Sequence, residues 1–64
     1  MEFQLTINTD NATFEEEEDR HQELASILRV TARRIAMLPA TWKAFSFAVQ
    51  DSNGNAVGRA ELAQ

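Results

Sequence analysis

The sequence predicts an α+β domain of β-α-β-β order, a three-stranded antiparallel sheet covered on one face by one helix. Two segments, Phe3–Ile7 and Phe45–Val49, alternate apolar with polar residues, the period of two expected of strands with one buried face. Between them, apolar residues recur at the three- and four-residue spacing of one helix face. Asn53-Gly54 then marks a hairpin that brings in the third strand. With 64 residues, there is room for one packed domain only, spanning 1–64.

In the first strand Phe3, Leu5 and Ile7 form the inner face, and Gln4, Thr6 and Asn8 the wet one. The connection that follows, Thr9-Asp10-Asn11-Ala12-Thr13, is made of residues whose side chains bond to their own backbone. Phe14 is expected to pin this connection to the core ahead of five consecutive acids, Glu15, Glu16, Glu17, Glu18 and Asp19.

The helix stripe reads Leu24, Ile27, Leu28, Thr31, Ile35 and Leu38, flanked by Ala25 and Ala32. Two starts suit it: Asp19 as N-cap with Gln22 at the third helical position, or Thr13 as N-cap with Glu16 there. Asp19 is preferred. The acids then precede the helix and Arg29, Arg33 and Arg34 fall in its later turns, each sign where the macrodipole favours it. Pro39 ends the helix near Leu38.

A two-residue type I′ turn at Asn53-Gly54 pairs Ser52 with Asn55. Val49 then faces Gly58, Phe47 faces Ala60 and Phe45 faces Leu62 on the inner side. On the outer side Gln50 meets Val57, Ala48 meets Arg59 and Ser46 meets Glu61. The long crossover makes the first two strands parallel in direction, so an all-antiparallel sheet has the third between them, order 1-3-2, preferred over 1-2-3.

Thr9-Asp10-Asn11-Ala12 with Phe14, Ile27-Leu28-Arg29, and Asp51 through Asn53-Gly54-Asn55 to Val57-Gly58 together resemble a family of small bacteriophage and prophage proteins. The resemblance spans nearly the whole chain and implies a phage or prophage origin and no reaction. The segment Met37 to Ala44 departs from it, being longer and more apolar than the family's Gly-rich link.

Composition narrows the function classes. There is one histidine and no cysteine, so neither a disulfide framework nor a thiolate zinc site is available. His21 falls among charged residues early in the helix and reads as a solvated surface group, and a sheet with a single helix offers little concavity. Catalysis is not expected, and no cofactor or metal is called for. Asp51-Ser52-Asn53-Gly54-Asn55 superficially matches the opening of a calcium-binding EF-hand loop, but Ala56 and Leu62 stand where that loop needs glycine and glutamate.

Net charge is −4, yet residues 1–19 hold seven acids and no base, while residues 20–64 hold six bases and three acids. Arg29 and Arg33 share a helix face with Arg34 beside them, and the three guanidinium groups could meet phosphates, but the net charge argues against nucleic acid as a partner. No apolar run is long enough for a membrane span, and the N-terminus lacks a signal peptide's pattern, so the expected location is the cytoplasm of a bacterial host.

The resulting expectation is a small non-enzymatic protein-interaction module, phage-encoded, that self-associates or binds a host or phage protein. Homodimerisation through a sheet edge is anticipated, because neither candidate edge strand carries an internal proline. Val30, Met37 and Trp42 are apolar residues off the main stripe and are candidates for the contact. The alternative uses Glu15 to Asp19 as carboxylates that imitate phosphates and block a nucleic-acid-binding host protein. The candidate partner-binding residues are therefore Glu15, Glu16, Glu17, Glu18, Asp19, Arg29, Arg33 and Trp42.

Overall fold

A computed structural model of the chain describes residues 1–10, 14 and 17–64. Its elements are β1 (Glu2–Ile7), α1 (Glu17–Met37), β2 (Phe45–Gln50) and β3 (Ala56–Ala63). The sheet has the order β1-β3-β2 with both pairings antiparallel, the order preferred from the sequence. No helix among the described residues is long and apolar enough to cross a membrane.

The helix begins earlier than expected. Glu17 is its first residue, which places Asp19 inside the first turn and not at the cap. Carboxylates stabilise an N-terminal turn through the macrodipole, so Glu17, Glu18 and Asp19 stand in the first turn of the helix instead of preceding it. The other candidate cap, Thr13, and the acids Glu15 and Glu16 lie outside the described residues. At the far end the helix stops at Met37, the Leu38 amide donates to the Ile35 carbonyl at 3.2 Å, and a turn closes from the Trp42 amide to the Pro39 carbonyl at 3.0 Å.

Of the apolar stripe, Ile27 and Thr31 are buried, and Leu24, Ile35 and Leu38 half-buried. Leu28 is a correction: it is 48% exposed. A helix resting on a narrow three-stranded sheet buries a strip centred on Ile27 and Thr31, and Leu28 stands 100° round the axis from Ile27, beyond that strip.

The hairpin also differs. Gly54 has φ of 84° and no other described residue has positive φ, so Asn53 does not adopt the conformation that a type I′ turn demands of it. The loop holds three residues, Ser52 to Gly54, between Asp51 and Asn55, with the Asp51 amide donating to the Asn55 carbonyl at 2.9 Å and the Gly54 amide to the Asp51 carbonyl at 3.1 Å. The buried Asp51 carboxylate organises it: Oδ1 accepts the amides of Asn53 and Asn55, both at 2.9 Å, and Oδ2 accepts Asn55 Nδ2 at 3.3 Å.

A three-residue loop shifts the register by one residue, and a β-bulge shifts it back. Gln50 pairs with Ala56, but Val49 pairs with Gly58, so Val57 is the extra residue on β3. From Val49 down, the expected pairs hold: Phe47 with Ala60, Phe45 with Leu62, Ala48 with Arg59, Ser46 with Glu61. The expected pairing of Gln50 with Val57 on the outer face does not hold. The bulge turns Val57 inward, where it is buried. Its carbonyl is taken by β1, through the Asn8 amide at 2.7 Å.

The core consists of Phe14, Ile27, Val49, Val57 and Ala60, with Leu5, Ile7, Leu24 and Phe47 packed against it. Phe14 is 0% exposed, as its place after the first connection suggested, and Arg20 Nε holds its carbonyl at 3.2 Å. Phe47 is half-buried. Phe14→Ala is therefore expected to cost about 3–5 kcal/mol, the range for a buried phenylalanine, and Phe47→Ala less, by denaturant titration.

Gly58 sits where β3 passes closest to β1. A Cβ there would collide with the Thr6 carbonyl oxygen and lie 2.9 Å from the Thr6 carbonyl carbon, both backbone atoms that cannot yield without breaking the β1–β3 pairing. A Cβ on Gly54 would meet nothing within 4 Å, leaving only the strain of its positive φ. The expected outcome is a loss of about 1 kcal/mol for Gly54→Ala and a clearly larger loss for Gly58→Ala, by thermal or denaturant unfolding of the pair.

Candidate functional site

The sheet has two edges, and the side chains treat them differently. On β2, Ala48 turns its backbone outward. Its carbonyl accepts Arg34 Nη1 at 3.0 Å, and the Arg34 guanidinium carbon lies 4.1 Å from the centroid of the Phe47 ring. Glu23, three helical turns before Arg34, accepts the Ser52 amide at 2.8 Å and the Ser52 hydroxyl at 3.1 Å. These two contacts fasten α1 along the β2 side of the sheet, the strand to which the helix lies nearest.

A small cleft of about 170 Å³ runs between the helix and this strand, lined by Ser26, Ile27, Val30, Arg34, Val49 and Asp51 among others. Ser26, Val30 and Arg34 therefore mark the β2 flank of α1. Leu28, 200° round the axis from Ser26, marks the opposite flank, above β1. A second, more open depression of about 330 Å³ lies beside Asn8, Asp10, Ala56 and Val57.

β1 is the other edge. Because the Asn8 amide donates to Val57, Ile7 and Gly58 form a non-hydrogen-bonded pair, and by alternation Phe3, Leu5 and Ile7 turn their backbone groups away from β3. No described residue hydrogen-bonds to that outward edge. The inner-face side chains are covered just as incompletely: Phe3 is 45% exposed, and Leu5 and Ile7 are half-buried. Phe3 reaches across the sheet to Phe45, centroids 6.2 Å apart, and Phe45 stacks on Phe47 at 5.9 Å, so one aromatic row links the open edge to the Arg34 anchor. The open edge thus runs beside an apolar strip of Phe3, Leu5 and Ile7, and Leu28 is exposed on the helix flank turned away from β2.

The residues singled out in the sequence are dispersed around this surface. Glu18 and Asp19 are exposed in the first turn of α1, and successive helical positions from Glu17 onward splay by 100°, so these acids do not align in one row. Glu15 and Glu16 fall outside the described residues. Arg29 and Arg33 are exposed on the outer side of the helix, while Arg34 turns to the sheet and does not join them. Trp42, 53% exposed, lies in the connection after Pro39, and Val30 and Met37 are exposed on the β2 flank of the helix. His21 is exposed. Among the described residues no three His, Cys, Asp or Glu side chains come together.

Three residues that shape this surface were not singled out for it from sequence: Leu28, assigned to the core, Arg34, read as a late-turn cation and as a neighbour of Arg29 and Arg33 that could contact phosphates, and Glu23. The clue to Arg34 was its spacing, since it lies seven residues from Ile27 and so on the buried side of the helix.

Comparison with protein-family models, with curated proteins and with solved structures finds no match to this chain.

Replacing Arg34 by methionine removes the guanidinium and keeps an unbranched, uncharged stem, which isolates the role of the charged group at the edge. Arg34→Met is expected to lower stability by about 1 kcal/mol, the typical net value of such a contact, and to free the Ala48 carbonyl for pairing. Sedimentation should then show larger species than the parent chain forms at the same concentration.

Proposed function

We propose that the chain is a small non-enzymatic protein-interaction module, phage-encoded, that works through the open side of its sheet. The observation that carries this reading is the asymmetry of the edges. On β2 the central outward carbonyl, that of Ala48, is taken by Arg34, whereas on β1 none of the outward donors and acceptors of Phe3, Leu5 and Ile7 is taken, and the exposed or half-buried Phe3, Leu5, Ile7 and Leu28 lie on the uncovered side. An edge of that kind offers main-chain hydrogen bonds for affinity and apolar side chains for selectivity. The acidic reading receives less support, because the described acids of the run diverge around the helix and the first turn uses their charge.

Leu28→Glu tests the proposal without touching a buried side chain. The variant is expected to retain the unfolding midpoint of the parent chain and to lose association, whether with itself by sedimentation at high micromolar concentration or with proteins recovered by affinity purification. Unchanged association of the variant counts against the open side as the binding surface. Recovery of a nucleic-acid-processing enzyme, abolished by neutralising Glu17, Glu18 and Asp19 and indifferent to Leu28→Glu, favours phosphate mimicry instead. Genomic position among phage structural genes supports the module, and position in an early anti-host operon supports the inhibitor.

A further inference from the structure

Resting on the interaction-module reading, we infer that the occupant of the open edge is a second copy of this chain, with β1 pairing antiparallel to β1 about a two-fold axis that passes beside Leu5. The register follows from which residues are free. Phe3, Leu5 and Ile7 point their backbone outward, and an antiparallel ladder joins outward residues only to outward residues. Centring the axis on Leu5 sets Phe3 against Ile7 of the second copy, Leu5 against Leu5, and Ile7 against Phe3. All three free residues of each strand find partners within β1, for about six new backbone bonds. Moving the axis to Gln4 or Thr6 leaves one of the three without a partner in the strand.

Side chains agree with this register on both faces. On the inner face it makes two aromatic-to-β-branched pairs, Phe3 with Ile7, around a central leucine pair, the combination that stabilises antiparallel sheets. On the outer face Gln4 meets Thr6, and Glu2, the one charged side chain of the strand, meets Asn8 of the second copy. With the axis at Thr6, Glu2 would oppose Asp10, a like-charge pair that the Leu5 register avoids. The strand carries no proline, lysine or arginine to discourage pairing. Among the described residues access is clear as well, because α1 is fastened along β2 and none of them hydrogen-bonds to the outward edge of β1.

The chain has no cysteine, so the register can be read directly by introducing single thiols on the exposed face. Gln4 and Thr6 are both exposed in β1, and in the proposed dimer they form a non-hydrogen-bonded pair, whose Cα atoms lie about 4.5 Å apart and within disulfide range. Two copies of the same variant place their cysteines diagonally, about 7–8 Å apart and beyond easy bridging. Gln4→Cys and Thr6→Cys are mixed under mild oxidation, with mass spectrometry counting the mixed and same-variant disulfides. The expected result is at least about a fivefold excess of the mixed disulfide over either same-variant species. Equal yields, or excess of one same-variant disulfide, overturn the Leu5 register. No cross-linking while the parent chain sediments as a dimer overturns β1 pairing and leaves the interaction-module reading standing on another surface. A monomer under all conditions overturns the second copy as occupant, and the Leu28→Glu affinity experiment then decides the module reading by itself.

Discussion

One extra residue on one strand, Val57, is the constraint on which the rest of this structure depends. A hairpin loop of three residues brings β2 and β3 together one position out of the register that sets large residues against small ones. The bulge at Val57 restores that register within a single step and turns a valine inward that alternation would have left outside. The core is small enough that this valine counts: it joins Phe14, Ile27, Val49 and Ala60 as the fully buried apolar set. The local crossing of strands that the bulge produces brings β3 against the Thr6 backbone, and only glycine can occupy position 58 there. Asp51, Gly54, Val57 and Gly58 are therefore one device, in which a carboxylate shapes the loop, two glycines allow the path and a valine receives the benefit.

From that hairpin the position of the helix follows, and from the helix the asymmetry of the sheet. Glu23 binds the first residue of the loop, Ser52, so the early turns of α1 are tied to the hairpin end. Arg34, three turns later, is tied to the middle of β2 through Ala48 and the Phe47 ring. Both ties lie on the same flank. A helix of 21 residues is about 31 Å long, well beyond the roughly 20 Å of a six-residue strand, and the molecule is accordingly elongated, 40 × 18 × 17 Å. Held to one side, such a helix covers β2 and leaves β1 half bare, which accounts for the exposure of Phe3 and Leu28 together.

Much of this was legible in the sequence. The strands, the order β1-β3-β2 and most of the β2–β3 register came from period-two alternation, crossover length and the Asn-Gly signal, all rules about local geometry. Phe14 could be assigned to the core because a lone aromatic among turn residues and acids has little other use. The failures share a cause: in each, a second influence competes with the local rule that was applied. Asp19 matches an N-cap, but the acids before it are themselves favoured in a first helical turn. Asn53-Gly54 suits a type I′ turn, but a buried aspartate two residues earlier selects a longer loop through its bonds to Asn53 and Asn55. Leu28 fits the apolar stripe, and only the lateral position of the helix exposes it. The proposed interaction surface was legible only in outline, since edge strands without proline could be named but nothing in the sequence said which edge Arg34 would contact.

The occupied edge has a consequence for the kind of assembly the chain can form. Two open edges on one sheet are a heterologous pair of surfaces, and pairing of unlike edges propagates without limit unless the rotation closes. With Arg34 on the central outward carbonyl of β2, pairing through β1 would join that edge to a surface like itself or to a different protein. An isologous contact between like edges uses each copy once and closes at two. The outward bond of one arginine to one carbonyl would thereby set the stoichiometry of the assembly, although its own contribution to stability is modest. That division of labour suits a chain with few buried apolar side chains among the described residues: the hairpin device holds the monomer together, and in the proposed dimer the uncovered apolar face of β1 would be buried by the second copy.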